Sequence, residues 1–229
     1  MRGFTFLIVI LVSFSTFILT GAEPAPAPTV KEHAFEKDIK RFEELDKQHP
    51  PEQNGLLFVG SSSIVKWKTS EAFPELHPLN RGFGGSQLAD SDYYFDRVIL
   101  PYHPKVIVIY AGDNDIKAKR TPKEVFDSFV SLKGKIQKQL PDSKVIFLSI
   151  KPSPSRAALW PLAQEANKMI AESCAQEKQF TFFDITKKML DAEGKAKPEL
   201  FVKDMLHMNP QGYAIWNEEL LQVLKEKMK

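Results

Sequence analysis

Residues 56–67, LLFVGSSSIVKW, change character within a few positions. Four apolar residues run into Gly60, three serines follow, and an apolar pattern then resumes. A short apolar run that ends at a glycine is typical of a buried strand. Serines directly after such a strand are typical of the start of a helix. The stretch therefore predicts a buried strand that turns sharply into a helix.

The same apolar pattern recurs four more times along the chain. The runs are HPLNRGF from His77, KVIVIYAG from Lys105, KVIFLSI from Lys144 and FTFFDI from Phe180. Amphipathic patterns typical of helices lie near 34–48, 86–100, 122–140, 159–177 and 210–227. Strands that are apolar on both faces are expected in a parallel sheet covered by helices on both sides. We therefore predict a doubly wound, flavodoxin-like α/β domain, a three-layer sandwich with about five parallel strands.

The N-terminal segment is typical of a secretory signal peptide. Arg2 precedes an uncharged apolar run from Phe4 to Leu19, and small residues follow up to Ala22. A retained membrane anchor is the alternative, because the run is near the length that spans a bilayer. The Pro/Ala-rich stretch 23–31 predicts a stiff linker. The expected organisation is a signal peptide at 1–22, a linker at 23–31 and one domain at 32–229, exported to the periplasm or outside the cell.

Composition argues against two classes of function. The chain carries 31 basic and 29 acidic side chains, a balance that argues against a nucleic-acid partner. Cys174 is the only cysteine, so no internal disulfide can form. We interpret Cys174 as a small core residue and not as a nucleophile.

In open parallel sheets, ligands bind beyond the carboxyl ends of the strands. The serines after Gly60 lie there, either to supply a nucleophile or only to cap a helix. Asp204 precedes His207 by three residues, a spacing that either orients an imidazole or forms a solvated turn. Gly85 and Asn114 follow the second and third strands, where they could donate hydrogen bonds to an oxyanion or belong to a flexible turn and a capping cluster.

Taken together, FVGSSS, NRGFGG, GDND and DMLH resemble the four sequence blocks of the SGNH, or GDSL-type, hydrolase family, and they occur in that family's order. The resemblance implies that Ser62 is the nucleophile and that Asp204 and His207 complete a catalytic triad. It also implies that the oxyanion is held by the N–H groups of Ser62 and Gly85 and by the Asn114 amide.

One position departs from the family pattern. Ser61 stands where the family has an aspartate before the nucleophile. We place the nucleophile at Ser62 and expect Ser61 and Ser63 to cap the following helix.

The resemblance implies ester hydrolysis through an acyl-enzyme, with no metal or other cofactor. Short acyl groups, acetyl first, on a glycan or a small ester are the expected substrates. A lysophospholipase-like acylhydrolase, a noncatalytic glycan-binding module and a metal-dependent phosphoesterase using Asp113, Asp115, Asp204 and His207 are the alternatives. Beyond a possible N-terminal anchor, no membrane partner is expected, and the residues do not specify an oligomeric state.

The loop 150–160, IKPSPSRAALW, is expected to reach the mouth of the site because it follows the fourth strand. Lys151 and Arg156 are candidates for attracting an anionic group, and Trp160 is a candidate for stacking on a sugar. Solvated charges and a buried aromatic side chain are the alternatives for these three residues.

Overall fold

Five parallel strands form one sheet in the order β2-β1-β3-β4-β5. A computed structural model describes residues 33–229, so the expected signal peptide and linker lie outside the described residues. The strands are β1 (Leu56–Gly60), β2 (Leu79–Gly82), β3 (Val106–Tyr110), β4 (Lys144–Leu148) and β5 (Phe180–Phe183). Each lies within one of the five predicted runs.

Nine α-helices, within the described residues, connect and cover these strands. They are α1 (Glu36–Gln48), α2 (Ser62–Val65), α3 (Thr69–Ala72), α4 (Leu88–Tyr93), α5 (Phe95–Val98), α6 (Asp113–Lys117), α7 (Pro122–Gln139), α8 (Trp160–Ala175) and α9 (Pro210–Lys227). Short 3₁₀ turns complete the connections at Pro74–Leu76, Leu100–Tyr102, Pro154–Leu159, Lys187–Met189 and Pro198–Leu200. Between residues 33 and 229, no helix is both long and apolar enough to cross a membrane.

Both faces of the sheet are buried. On β1, Leu57 and Val59 belong to one core cluster, which also includes residues of α1, α4, α5, α7 and α8. Leu56 and Phe58 belong to a second cluster on the opposite face, which is covered by α9 through residues such as Trp216. Because successive side chains of a strand point to opposite faces, one apolar run fills both layers. The predicted α/β three-layer fold is confirmed.

One predicted helix is wrong in its extent. The pattern at 86–100 predicts a single helix, whereas the structure has two short ones, α4 and α5, separated at Tyr94. The backbone of Tyr94 leaves helical geometry at φ −89° and ψ 11°. This break allows two adjacent aromatic residues, Tyr94 and Phe95, both to be buried in the core.

The end of β1 requires a glycine. Gly60 has φ +133°, a conformation that side-chain-bearing residues rarely adopt. A Cβ atom there would also lie 1.9 Å from the carbonyl oxygen of Tyr110 on the neighbouring strand. Gly60 thus lets the chain turn out of the sheet directly against β3.

Candidate active site

Ser62 is the first residue of α2, immediately beyond the carboxyl end of β1. The preceding residue is held against the sheet, since the Ser61 N–H donates to the Tyr110 carbonyl oxygen at 2.9 Å. The N–H groups in the first turn of a helix have no acceptor within that helix. The side chain of Ser62 is half-buried, so its hydroxyl is reachable from solvent.

A second segment, between the 3₁₀ turn at Pro198–Leu200 and α9, carries Asp204 and His207. Oδ1 of Asp204 accepts from the N–H groups of Leu206 and His207, each at 2.9 Å. Met205 adopts a left-handed φ of 54° inside this turn. Asn209 then caps α9 by accepting from the N–H groups of Gln211 and Gly212. The turn is therefore held at both ends by side-chain hydrogen bonds.

The two segments meet at the imidazole of His207. Its Nε2 lies 3.0 Å from Oγ of Ser62, and its Nδ1 lies 2.6 Å from Oδ2 of Asp204. The hydrogen bonds from the His207 ring and from the two backbone N–H groups lower the pKa of Asp204 well below its usual range. A carboxylate at Nδ1 keeps the proton on that nitrogen, which leaves Nε2 free to accept a proton from the Ser62 hydroxyl.

Hydrogen-bond donors lie beyond the ends of the neighbouring strands. Gly85, after β2, has φ +86° and is exposed, and within residues 33–229 no backbone carbonyl accepts from its N–H. Asn114, in α6 after β3, donates from Nδ2 to the Ser86 carbonyl oxygen at 3.0 Å. That bond uses one of the two amide hydrogens, so the second remains a donor. The glycine and asparagine segments are thus connected directly.

Asp115 supplies a further connection between these segments. Its carboxylate accepts from the Leu88 N–H, at the start of α4, at 3.1 and 3.3 Å. Burial raises the pKa of Asp115 to about 6. The sequence offers Asp115 only as a candidate metal ligand, because nothing in its neighbourhood indicates a contact with α4.

Two of the three predicted substrate-binding residues are engaged inside the protein. The side chain of Lys151 is 1% exposed, and its Nζ lies 3.6 Å from Oδ2 of Asp113. Burial lowers the pKa of Lys151. Arg156 lies 3.1 Å from the same oxygen through Nη1. Lys151 is therefore buried in an ion pair with Asp113, so the prediction that it attracts an anionic group from solvent is wrong, and so is the alternative of a solvated charge at this position. For Arg156 the attraction of an anionic group stays a prediction.

Trp160 is partly buried and packs against the core, and part of its surface lines a cleft of about 270 Å³ together with Pro152, Pro154 and Gly194. Its proposed stacking on a sugar stays a prediction.

Arg156 makes one contact that no sequence pattern indicates. Its Nη2 donates to Oδ1 of Asn114 at 3.1 Å, although the two residues are 42 positions apart. Only the packing of the loop after β4 against α6 brings them together.

The predicted capping role of Ser61 is wrong. Ser61 does occupy the position before α2, but its hydroxyl is buried and has no hydrogen-bond partner among residues 33–229. The Ile64 N–H bonds to the backbone carbonyl of Ser61 instead of to its side chain. Ser63 is the second residue of α2, and its carbonyl accepts from the Tyr213 hydroxyl at 2.9 Å.

The carboxylates that a metal-dependent alternative would need have other partners. Asp113 pairs with Lys151 and Arg156, while Asp115 accepts from the α4 backbone. Over residues 33–229, no group of three or more His, Cys, Asp or Glu side chains is placed to hold a metal ion.

The sequence of this chain matches a known protein family. Residues 61–215 match the sequence profile of the GDSL-like Lipase/Acylhydrolase family, which covers more than half of the chain. The chain therefore belongs to this family of ester-cleaving hydrolases, and the resemblance to SGNH, or GDSL-type, hydrolases is confirmed.

The chain is also similar to individual proteins of known sequence or structure. Platelet-activating factor acetylhydrolase IB subunit alpha2 of Rattus norvegicus is 27% identical over 90% of this chain and 93% of its own length. A GDSL-like lipase from Bacteroides thetaiotaomicron superposes with a TM-score of 0.69 at 21% identity, covering 82% of this chain and 97% of that one. A carbohydrate esterase family 3 protein from Talaromyces cellulolyticus gives a TM-score of 0.60 at 16% identity, covering 77% and 98%.

Proposed function

We propose that the protein is a serine esterase that hydrolyses short acyl esters, acetyl esters first, of a glycan or a small molecule. The observation that carries this proposal is the continuous contact from Ser62 through His207 to Asp204, at 3.0 and 2.6 Å. Hydroxyl, imidazole and carboxylate in this order form the arrangement that activates a serine for attack on a carbonyl.

In the proposed reaction, Oγ of Ser62 attacks the ester carbonyl while Nε2 of His207 takes the hydroxyl proton. Asp204 keeps the imidazole oriented and stabilises the positive charge that it acquires. The negative oxygen of the tetrahedral intermediate accepts from the N–H groups of Ser62 and Gly85 and from the free amide hydrogen of Asn114.

When the intermediate collapses, the proton on His207 passes to the leaving alcohol, and Ser62 keeps the acyl group as an ester. Water then attacks this acyl-enzyme, with His207 again acting as the base. The final products are a carboxylic acid and an alcohol, and Ser62 regains its proton. None of these steps needs a metal ion or another cofactor.

The proposed acyl preference is supported by the relatives. The name of the Rattus norvegicus relative describes an acetylhydrolase, and the Talaromyces cellulolyticus protein is a carbohydrate esterase. Trp160, which lines a cleft together with other residues of the loop after β4, is the proposed contact for a sugar ring.

The direct test is hydrolysis of 4-nitrophenyl esters of increasing chain length, followed by acetylated polysaccharides. We expect the highest kcat/KM for the acetate and a fall of at least about 10-fold by octanoate, because each added methylene needs an apolar contact. Activity should be unchanged by a chelator. A maximum at long chains would instead favour the lysophospholipase-like alternative.

The matched variants are Ser62→Ala and Ser61→Ala. Ser62→Ala should lose about 10⁴-fold or more in kcat, since removing the nucleophile ends covalent catalysis. Ser61→Ala removes only a buried hydroxyl without a hydrogen-bond partner among the described residues, so it should retain most of the activity. Near wild-type activity in Ser62→Ala would refute the proposed mechanism.

A further inference from the structure

We propose that Arg156 is a positioning residue for the oxyanion hole, acting through the side-chain amide of Asn114. This inference rests on the proposed esterase function. It assigns to the loop after β4 a role in transition-state stabilisation in place of the substrate contact predicted from sequence.

The first step of the argument is the orientation of the amide. Asn114 can serve an oxyanion only if its Nδ2, and not its Oδ1, faces the reacting carbonyl. Arg156 donates to Oδ1 at 3.1 Å, and the Ser86 carbonyl accepts from Nδ2 at 3.0 Å. An amide turned by 180° would place Nδ2 against a guanidinium and Oδ1 against a carbonyl oxygen. Both contacts would then be repulsive, so the pair of bonds selects one orientation.

The second step is electronic. A cationic donor on the oxygen of an amide makes a stronger hydrogen bond than a neutral one. It draws electron density away from the amide nitrogen, and hydrogen bonds in such a chain strengthen one another. The remaining N–H of Asn114 therefore becomes a better donor to a developing negative charge.

The third step is the rigidity of Arg156 itself. Its Nη1 lies 3.1 Å from Oδ2 of Asp113, the residue just before Asn114, and its side chain is 15% exposed. Among the described residues, Nη1 makes this ion pair without a hydrogen bond, while Nη2 donates to Asn114. Asp113 and Asn114 thus contact two different nitrogens of one planar guanidinium. A lysine has a single nitrogen and cannot occupy both positions at once.

The backbone of the loop is fixed as well. Its beginning is held by Asn167 of α8, which accepts from the Ile150 N–H at 2.8 Å and donates to the Ile150 carbonyl at 2.9 Å. One residue before Arg156, the Ser155 N–H donates to the Met205 carbonyl at 3.0 Å. Met205 lies between Asp204 and His207, so the same loop contacts both the oxyanion segment and the triad turn.

The test is a double-mutant cycle on hydrolysis of 4-nitrophenyl acetate, with Arg156→Met, Asn114→Ala and the double variant. We expect Asn114→Ala to lower kcat by about 10²- to 10³-fold. Arg156→Met should lower kcat by about 10- to 100-fold, the range for a hydrogen bond to a charged group, with KM changed by less than about 2-fold. The double variant should be no slower than Asn114→Ala alone, because Arg156 acts only through that amide.

Multiplying losses in the double variant would overturn the proposal, as would a change confined to KM. Arg120→Met is the matched control, since Arg120 pairs with Glu124 on the surface and should leave kcat unchanged. If Arg156→Met yields too little folded protein, Arg156→Lys replaces it in the same cycle and keeps a cation beside Asp113. Ser62→Ala is measured in parallel: activity in Ser62→Ala would refute the esterase mechanism, whereas an inactive Ser62→Ala with multiplying losses would refute only the role of Arg156.

Discussion

Asp204 makes two kinds of contact at once. One carboxylate oxygen accepts from two backbone N–H groups of its own turn, and the other accepts from the imidazole of His207. The two backbone hydrogen bonds shape the turn, while the hydrogen bond from His207 fixes the tautomer of its imidazole. An asparagine at this position could still accept from the backbone N–H groups, but it would not hold the proton on Nδ1 of His207. One substitution can therefore separate the two roles of Asp204.

We predict that Asp204→Asn lowers kcat by about 10³- to 10⁴-fold with little change in thermal stability. The asparagine oxygen can still accept from the backbone, whereas its NH₂ group would favour a proton on Nε2 of His207. That nitrogen could then no longer accept from Ser62. Kinetics on 4-nitrophenyl acetate and thermal unfolding check the two halves of the prediction.

Asp191→Asn is the matched control, because Asp191 also accepts from two N–H groups of its own turn, those of Glu193 and Lys195. Within residues 33–229 it makes no ion pair and no hydrogen bond with a histidine, so its substitution should leave kcat unchanged. Equal activity of Asp204→Asn and the wild-type protein would contradict the proposed role of Asp204.

Some features of the individual site residues could be predicted from the sequence, and others could not. The pattern places Ser62 after a strand and Asp204 and His207 before a helix, but the catalytic roles of these residues come from the resemblance to the SGNH family. The contact between Arg156 and Asn114 could not be predicted, because it depends on how a loop and a helix pack. The burial of Lys151 beside Asp113 could not be predicted either, since it leaves no trace in the neighbouring residues.

At the scale of elements, the site depends on contacts between segments that follow different strands. Asp115 of α6 connects to the start of α4 through the Leu88 N–H, near the Gly85 loop. Because burial raises its pKa to about 6, the folded protein holds a proton on Asp115 more tightly than the unfolded chain does. The corresponding stabilisation is fully present below about pH 4 and is lost as the pH rises through about 6.

We predict that Asp115→Asn removes this pH dependence. Between about pH 4 and pH 7, the free energy of unfolding of the wild-type protein should fall relative to that of the variant, by up to about 3 kcal/mol. Urea unfolding of both proteins across this range checks the difference. Asp127→Asn, at an exposed pair with Lys123, is the control and should follow the wild-type protein. Parallel curves for Asp115→Asn and the wild-type protein would contradict the assignment.

Asn167 provides a second prediction at this scale. It satisfies both the N–H and the carbonyl of Ile150, and it is buried. Asn167→Ala should lower the free energy of unfolding by about 2–4 kcal/mol, because two buried polar groups lose their partners. Gln164→Ala, at an exposed position of the same helix, should change it by less than about 0.5 kcal/mol. Denaturant unfolding of both variants measures the difference. Equally small changes in the free energy of unfolding would contradict the prediction and show that other contacts hold the loop after β4.

The strands were easier to predict than the helices that cover them. A strand buried on both faces is a continuous apolar run, which is how β1, β3 and β4 could be recognised in the sequence. β2, with Asn80 and Arg81, and the half-buried β5 carry a weaker pattern. The division of residues 86–100 into α4 and α5 could not be recognised, because the amphipathic pattern continues through Tyr94. The break depends on how the adjacent side chains of Tyr94 and Phe95 pack in the core, and the spacing of apolar residues in the sequence does not indicate it.

At the scale of the whole molecule, the parallel sheet gathers groups that are far apart in the chain. Because β1, β2 and β3 are neighbouring parallel strands, the segments that carry Ser62, Gly85 and Asn114 all begin at the carboxyl ends of the strands. His207 reaches these ends from the turn before α9. Both faces of the sheet are packed, and no large movement is needed to bring the hydroxyl and the imidazole to 3.0 Å.

The central claim is that Ser62 is an activated nucleophile, and covalent labelling measures this directly. The protein is treated with a fluorophosphonate, digested and analysed by mass spectrometry, with Ser62→Ala and His207→Ala alongside. Because only an activated serine attacks the phosphorus rapidly, we predict one adduct per wild-type chain, located on Ser62, and none in either variant. An adduct on Ser61 or Ser63, or a wild-type protein that stays unlabelled, would contradict the account.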